Sequence, residues 1–168
     1  MRIQKLTIVA MLVAMCFIGA NIKLMGSIAF DAAPAFVGTL LLGPIYGVAL
    51  GFLGHLVSSL IAGFPLSLPV HIIVAIMMAI TMCAYSMTRK WINKIVNHTT
   101  AIILSSIIAF LLNCPLSLLA LYPLLGDMVY ALFVPLAIAS VCNIFVAEVL
   151  FAAFPAKLKQ RYVASFLD

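Results

Sequence analysis

The stretch TAIILSSIIAFLLNCPLSLLALY, residues 100–122, decides the fold. It holds no charged residue and is as long as the roughly 20 apolar residues that cross a bilayer as a helix. Because backbone polar groups in lipid must be hydrogen-bonded within the chain, such a span is helical. The whole chain is 67% hydrophobic and only 8% charged, whereas soluble domains have roughly 25% charged residues. The sequence therefore predicts a membrane protein and excludes a water-soluble domain.

Further apolar segments lie on both sides of this stretch. They predict helices over residues 6–24, 32–42, 44–62, 69–88 and 128–154. Glycine and proline at 43–44 and the two prolines within 63–69 separate neighbouring helices. The second helix is too short to cross the membrane unless it tilts. We expect an all-α membrane protein, a bundle of six transmembrane helices forming a single domain over residues 1–168.

The basic residues predict the orientation of this bundle. With six crossings, both termini and the even-numbered loops share one side, and only Lys23 lies on the other. The residues on the shared side are Arg2, Lys5, Arg89, Lys90, Lys94, Lys157, Lys159 and Arg161. Since Lys and Arg are enriched in cytoplasmic loops, both termini are predicted to be cytoplasmic. The net charge of +5 is then a sign of orientation and not of a nucleic-acid partner.

Uncommon polar side chains gather in the half of the bundle that is predicted to face outside. The candidate substrate-binding residues are Asn21, Lys23, Asp31, His55, His71, Asn113 and Tyr130. The inner half consists mostly of Leu, Ile, Val, Ala and Met. Polar groups at lipid depth usually point into the bundle, and a ligand pocket needs a few of them against apolar walls. This asymmetry predicts a pocket that opens to the outside.

Each of these side chains also has a purely structural interpretation. Lys23 and Asp31 would face water or pair with each other. His71 would cap its helix, and His55 would hydrogen-bond to a neighbouring helix. Asn113 would bond the carbonyl left free by the proline two positions later.

Other side chains are expected near the inner surface. Glu148 would pair there with Lys5 or Lys157. Three aromatic residues are typical of anchors at the membrane interface: Tyr85, Trp91 and Tyr162.

Small residues form two patterns that indicate close packing. The first is on the third helix and consists of Gly43, Gly47, Gly51 and Gly54. In lipid, this spacing lets helix backbones approach one another, and we expect it inside the bundle. The second, Ala10 and Ala14 on the first helix, fits either internal packing or a docking surface for another membrane protein.

Motifs for catalysis and for metal binding are missing from the sequence. There is no phosphate-binding GxxxxGK[ST], no HExxH and no GxSxG, and the four cysteines lack zinc-site spacing. We therefore predict no enzymatic activity, no catalytic residues, no cofactor and no metal. We also expect the chain to bind a ligand without driving its passage alone, because a self-contained proton-coupled carrier usually has acidic residues within the membrane.

A family resemblance lies in FDAAPAF at residues 30–36, followed by Gly38, the LGP at 42–44 and Gly47. These residues resemble the substrate-binding S components of energy-coupling factor (ECF) vitamin transporters, and the pair Ala10 and Ala14 is similar to the family's small-residue motif. The resemblance implies a vitamin-binding subunit in the cell membrane of a prokaryote. It also implies docking through the first helix onto a transmembrane T component that works with two ATPase subunits.

The resemblance also bears on the substrate. Residues 19–27 and 63–71 resemble S components of cobalamin salvage, which implies α-ribazole or another cobalamin-related compound. Arg2 stands where nickel and cobalt S components have a histidine, which argues against a metal-ion substrate. Two other hypotheses remain open: a small intramembrane enzyme that uses His55 and His71, with or without a metal, and a membrane scaffold that binds no ligand.

Overall fold

Helices make up nearly all of the computed structural model, which describes residues 2–21, 23–24, 28–29 and 31–163, with the backbone alone at 2, 23, 24, 28 and 29. The helices are α1 (Arg2–Asn21), α2 (Ala32–Leu42), α3 (Pro44–Ile61), α4 (Leu68–Ile95), α5 (His98–Leu111), α6 (Ser117–Leu125), α7 (Met128–Ala153) and α8 (Ala156–Tyr162). A π-helical turn, Leu112–Leu116, joins α5 to α6. Between α1 and α2, the short strands β1 (Lys23–Leu24) and β2 (Ile28–Ala29) pair antiparallel.

Among the described residues, five helical segments are long and apolar enough to cross a membrane. They are Ile3–Asn21, Pro44–Ile61, Leu68–Ile95, His98–Leu125 and Met128–Ala153. The one remaining predicted segment is the helix α2. Its 11 residues extend about 16 Å, which is half of the ~30 Å apolar core of a bilayer. The prediction of an all-helical membrane protein is confirmed in this coarser form, with five long spans and one short helix.

The first turns of α1 and the helix α8 lie at the same end of the bundle, which we call the terminal end. The Arg161 Nη2 atom donates a hydrogen bond to Gln4 Oε1 over 2.8 Å. The Lys5 ammonium lies 5.6 Å from the centre of the Tyr46 ring at the start of α3. The start of α1 and the α7–α8 region therefore meet there.

The helix α2 fills only the half of the bundle next to the terminal end. Its last residues, Leu41 and Leu42, pack with Tyr162 of α8. The helix begins beside the middle of α7, where the Ala33 N–H in its first turn donates to Asn143 Oδ1 over 2.8 Å. Asn143 thus satisfies a donor that the start of a helix leaves unpaired. Every residue of α2 is buried, and the space beyond its first turn is left for a cavity.

The glycines of α3 bring neighbouring helices close together, as predicted. A Cβ atom at Gly51 would lie 2.9 Å from the Met78 carbonyl oxygen on α4, and one at Gly54 would lie 2.9 Å from Cys16 Sγ on α1. Gly43 has a different role, because its φ of 91° lies in the left-handed region and ends α2.

Several predicted helix bounds were wrong. Helix α1 ends at Asn21 instead of position 24, and α4 continues to Ile95 instead of stopping at 88. The predicted helix over 100–122 spans His98–Leu125 and contains the π-turn. Pro115 explains this turn, because proline lacks the N–H that a regular helix needs at that position.

Candidate functional site

A cavity of about 290 Å³ lies beyond the first turn of α2, in the half of the bundle away from the terminal end. Residues of α3, α4, α6, α7 and the π-turn surround it. Its apolar wall consists of Ala32, Leu66, Val70, Val74, Met78, Leu118, Leu121, Leu132, Pro135, Leu136 and Ala139. Its polar lining consists of Asp31, His55, His71, Asn113, Ser117, Ser140 and Asn143. Apolar walls with a few convergent polar groups are typical of a small-molecule site.

Four of the predicted site residues are brought together at this cavity. Asp31 precedes α2, His55 is on α3, His71 is in the first turn of α4, and Asn113 is in the π-turn. They come from four separate segments of the chain, so they lie close together only when the bundle is folded.

The other three predicted site residues are placed differently. Asn21 is exposed and donates to the Phe17 carbonyl of its own helix over 2.9 Å. Tyr130 is 70% exposed, with its ring 6.5 Å from that of Tyr122. Neither lines the cavity. The side chain of Lys23 lies outside the described residues, so its predicted role and its pairing with Asp31 stay predictions.

Three polar lining residues were missed by the sequence reasoning: Ser117, Ser140 and Asn143. Ser117 follows Asn113 by four positions, and Asn143 follows Ser140 by three. Side chains at these spacings share a helix face. This spacing is the sequence feature that would have marked them.

A cluster of His55, His71, Ser59 and Asp31 forms one side of the cavity. His55 Nε2 is 3.1 Å from His71 Nδ1, and the Ser59 hydroxyl oxygen is 3.0 Å from the same His71 atom. The Ser59 hydroxyl also contacts the His55 carbonyl oxygen over 2.7 Å. Asp31 Oδ2 lies 3.8 Å from His55 Nδ1. The predicted contact of His55 with a neighbouring helix is therefore confirmed, and the partner is His71.

Two nitrogens of this histidine pair are buried without a hydrogen-bond partner among the described residues. They are His55 Nδ1 and His71 Nε2. A buried polar atom without a partner costs about 1–3 kcal/mol, so such an atom in a native structure is expected to meet a ligand, an ion or a water molecule. Within the described ranges, no three His, Cys, Asp or Glu side chains are grouped so that they could hold a metal ion.

Asn113 bonds across the bundle and not to its own backbone. Its Nδ2 atom donates to Ser140 Oγ on α7 over 2.8 Å. The expected bond to the carbonyl left free by Pro115 was therefore wrong. The side-chain oxygen of Asn113 has no hydrogen-bond partner in the part of the chain that the structure describes.

A second polar cluster lies inside the bundle toward the terminal end, where the sequence predicted mostly apolar residues. Arg89 on α4 contacts both carboxylate oxygens of Glu148 on α7, one of them at 3.4 Å. It also donates to Ser105 Oγ over 2.8 Å and to the Tyr85 hydroxyl over 3.1 Å. The Tyr85 hydroxyl in turn donates to Glu148.

This cluster corrects three expectations. Glu148 pairs with Arg89 and not with Lys5 or Lys157, because α4 continues past position 88 and carries Arg89 against α7. Tyr85 is fully buried and Tyr162 is 6% exposed, so neither is an interfacial anchor. Trp91, at 67% exposed, keeps that interpretation as a prediction.

A larger groove of about 1000 Å³ runs along the outside of the bundle between α5 and α7. Its lining includes Ile103, Phe145 and Val149, each at least half exposed. Arg89 and Glu148 also border this groove, but it is open along the outer face of the bundle, so the more enclosed interior cavity is the better candidate for a ligand site.

The helix α1 turns the two alanines of its small-residue motif outward. Ala10 and Ala14 are exposed, whereas Leu12 and Cys16 on the other face are buried in the core. Internal packing, one of the two interpretations of this motif, was therefore wrong.

The comparison with known protein families agrees with this arrangement. The family model described as "ECF transporter, substrate-specific component" matches residues 4–166. No curated protein and no solved structure matches the chain. Because the family match covers the cavity, α1 and nearly the whole sequence, the chain belongs to the family of substrate-specific components of ECF transporters.

Proposed function

We propose that this protein captures a vitamin or vitamin precursor in the cavity beyond α2, with α-ribazole or another cobalamin-related compound as the leading candidate. The observation that carries the proposal is the cavity of about 290 Å³, where polar residues of six segments meet against an apolar wall. Its volume is at the lower limit of typical small-molecule pockets, which favours a compact ligand. S components are transport subunits and not enzymes, so the ligand is carried without being converted.

The proposed orientation places the cavity on the outside of a prokaryotic cell membrane. Arg161 and Lys5 mark the terminal end, and the basic residues of α4 and α8 lie toward it. Basic ends favour the cytoplasm, so both termini are proposed to be cytoplasmic. The short α2 would count as the sixth segment of the bundle although it reaches only about halfway across.

The proposed partners are a transmembrane T component and two ATPase subunits, with α1 as the docking helix. The exposure of Ala10 and Ala14 supports this role, because small residues allow close approach of a partner helix in lipid. We predict that Ala14→Trp prevents co-purification with the T component and leaves ligand affinity unchanged. The control Ala131→Trp places the same bulk at an exposed alanine on α7 and should leave assembly intact. Assembly that survives Ala14→Trp contradicts docking through this face.

The ligand is tested by titrating α-ribazole, cobalamin, niacin, riboflavin and pantothenate into purified protein in nanodiscs. Mass spectrometry of small molecules retained during purification gives an independent identification. Failure of both α-ribazole and cobalamin to bind rejects the cobalamin-related substrate. Absence of any retained or titrated ligand rejects the capture function.

The two competing hypotheses receive less support. An intramembrane enzyme requires His55 and His71 to meet, and they do, at 3.1 Å. However, membership of a family of transport subunits argues against catalysis. A scaffold without a ligand requires a fully packed outer half, and the cavity argues against that.

A further inference from the structure

The direction in which the Ser59 hydroxyl donates its hydrogen determines which ring nitrogens of His55 and His71 carry a hydrogen. A hydroxyl has one hydrogen, and the His55 carbonyl at 2.7 Å can only accept it. The same hydroxyl oxygen, 3.0 Å from His71 Nδ1, must therefore accept a hydrogen bond from that nitrogen. The proton of neutral His71 is thus on Nδ1, and the ring nitrogen Nε2 carries a lone pair.

Asp31 leads independently to the same assignment. Its Oδ2 atom faces His55 Nδ1 at 3.8 Å, which favours a proton on that nitrogen. His55 Nε2 then has a lone pair, and the single Nδ1–H of His71 is shared between this nitrogen at 3.1 Å and the Ser59 hydroxyl oxygen at 3.0 Å. Asp31, His55 and His71 are the only titratable side chains that line the cavity in the described part of the chain, because α6 and α7 contribute only amides and hydroxyls there.

The His55 Nδ1–H faces the Asp31 carboxylate at 3.8 Å, so the other polar atoms left for a ligand are mainly hydrogen-bond acceptors. His71 Nε2 is buried without a partner in the described structure. Asn113, whose Nδ2 donates to Ser140 Oγ, lines the cavity, and among the described residues no donor is bonded to its side-chain oxygen. The Asp31 carboxylate adds negative charge at the start of α2.

The N-terminus of α2 does not offset this preference. A helix N-terminus ordinarily attracts an anion through its free N–H groups. Here Asp31 occupies the N-cap position, and Asn143 already accepts from the Ala33 N–H. One N–H of this turn is thus bonded by Asn143, Pro34 has no N–H, and an approaching anion would meet the Asp31 carboxylate, which forms no cap hydrogen bond.

We propose that this cavity selects neutral or cationic ligands that offer hydroxyl or N–H donors and rejects carboxylates and phosphates, with His71 Nε2 as the specificity-determining acceptor. This inference rests on the proposed capture function and specifies its substrate class. It fits an uncharged nucleoside such as α-ribazole better than an acidic vitamin, since an anion would approach Asp31 without a cation among the described lining residues.

The first test reads the tautomers without a ligand. The chain has three histidines, so ¹⁵N-histidine NMR in nanodiscs gives three imidazole spin systems, assigned with single His→Gln variants. His98, which lies at the start of α5 and outside the cavity, is the internal reference. The expected result is Nδ1–H on both His55 and His71 in the neutral state. A proton on His71 Nε2 overturns the proposal whatever the protein binds.

The second test uses pairs of compounds that differ in one anionic group: α-ribazole and its 5′-phosphate, nicotinamide and nicotinate, panthenol and pantothenate. Calorimetric titration should show that the uncharged member of each pair binds at least about tenfold more tightly. This ratio corresponds to a difference of ~1.4 kcal/mol in binding free energy. Equal or tighter binding of the anionic member overturns the inference and leaves the capture function standing. Failure of every compound to bind overturns the capture function and the inference with it.

A charge variant separates the electrostatic contribution. Asp31→Asn should raise the affinity of the anionic members relative to the neutral ones by about tenfold. The matched control Asp127→Asn removes an exposed carboxylate at the α6–α7 turn, outside the cavity lining, and should leave the preference unchanged. An Asp31→Asn protein with the original preference contradicts the role of this charge.

Discussion

Breaking the buried ion pair between Arg89 and Glu148 is the most direct test of the bundle's architecture. The two side chains are 11% and 17% exposed, and Arg89 contacts Glu148, Tyr85 and Ser105. Replacing Arg89 by Met leaves a buried carboxylate without its charge partner, and Glu148→Gln leaves the guanidinium uncompensated. Breaking a buried pair from one side costs about 3–5 kcal/mol, and we expect Arg89→Met near the upper value. Glu148→Gln should cost nearer ~3 kcal/mol, because glutamine still accepts one hydrogen bond.

The double variant Arg89→Met/Glu148→Met makes the prediction quantitative. Replacing both ions by apolar residues of similar size is often nearly neutral, so we expect it within about 2 kcal/mol of the native protein. The remaining cost comes from the Tyr85 hydroxyl, which loses both partners. With the single variants Arg89→Met and Glu148→Met completing the cycle, the coupling energy between the two sites should then exceed about 3 kcal/mol.

The assay is reversible unfolding by SDS in mixed micelles, followed by far-UV circular dichroism and by the fluorescence of Trp91, the single tryptophan. Lys94→Met is the control, because it removes an exposed cation from the same helix and should change stability by no more than about 0.5 kcal/mol. Additive effects of the two single substitutions, with coupling below ~0.5 kcal/mol, would refute the buried pair.

Two further predictions concern helix packing and the start of α2. Gly51→Ala should lower the free energy of unfolding by about 1 kcal/mol in the same SDS assay. Overpacking against the Met78 backbone costs ~1–3 kcal/mol, and the better helix propensity of alanine recovers ~1 kcal/mol. An unchanged or raised free energy of unfolding would contradict the close approach of α3 and α4. Asn143→Leu should cost about 1–3 kcal/mol, because it leaves the Ala33 N–H buried without an acceptor. Hydrogen exchange at the first turn of α2 should rise in this variant, and unchanged protection would show that Asn143 does not hold that turn.

The sequence was sufficient to locate the apolar helices and four of the polar residues that line the cavity, for physical reasons that apply in lipid. The bounds of α2 follow from its apolar run and from the glycine and proline that end it, and they agree with the structure. Asp31, His55, His71 and Asn113 were identifiable because a polar side chain at membrane depth is costly unless it faces the interior. All four do line the interior cavity.

The polar cluster around Arg89 could not be predicted from the sequence. Basic residues close to a helix end usually lie at the membrane surface, and this rule assigned Arg89 to a loop. Its burial depends on Glu148, Tyr85 and Ser105, which lie on three helices and face one point only after packing. A linear sequence gives the depth of each side chain but not the neighbour that it meets, and Glu148 was assigned the wrong partner for that reason.

The half-length of α2 connects the stability of this bundle with its proposed function. A helix that begins in the middle of a membrane protein leaves N–H groups where water cannot reach them, and Asn143 is the local solution to that problem. Because α2 begins there, the Asp31 carboxylate lies at the floor of a cavity instead of under packed side chains. The two histidine nitrogens that lack a hydrogen-bond partner among the described residues lie at its side. Unsatisfied polar atoms lower stability, so they persist only where the rest of the structure compensates. The ion pair of α4 with α7 and the glycine contacts of α3 stabilise the bundle without using His71 Nε2 or the Asp31 carboxylate, which are the groups proposed to meet a ligand.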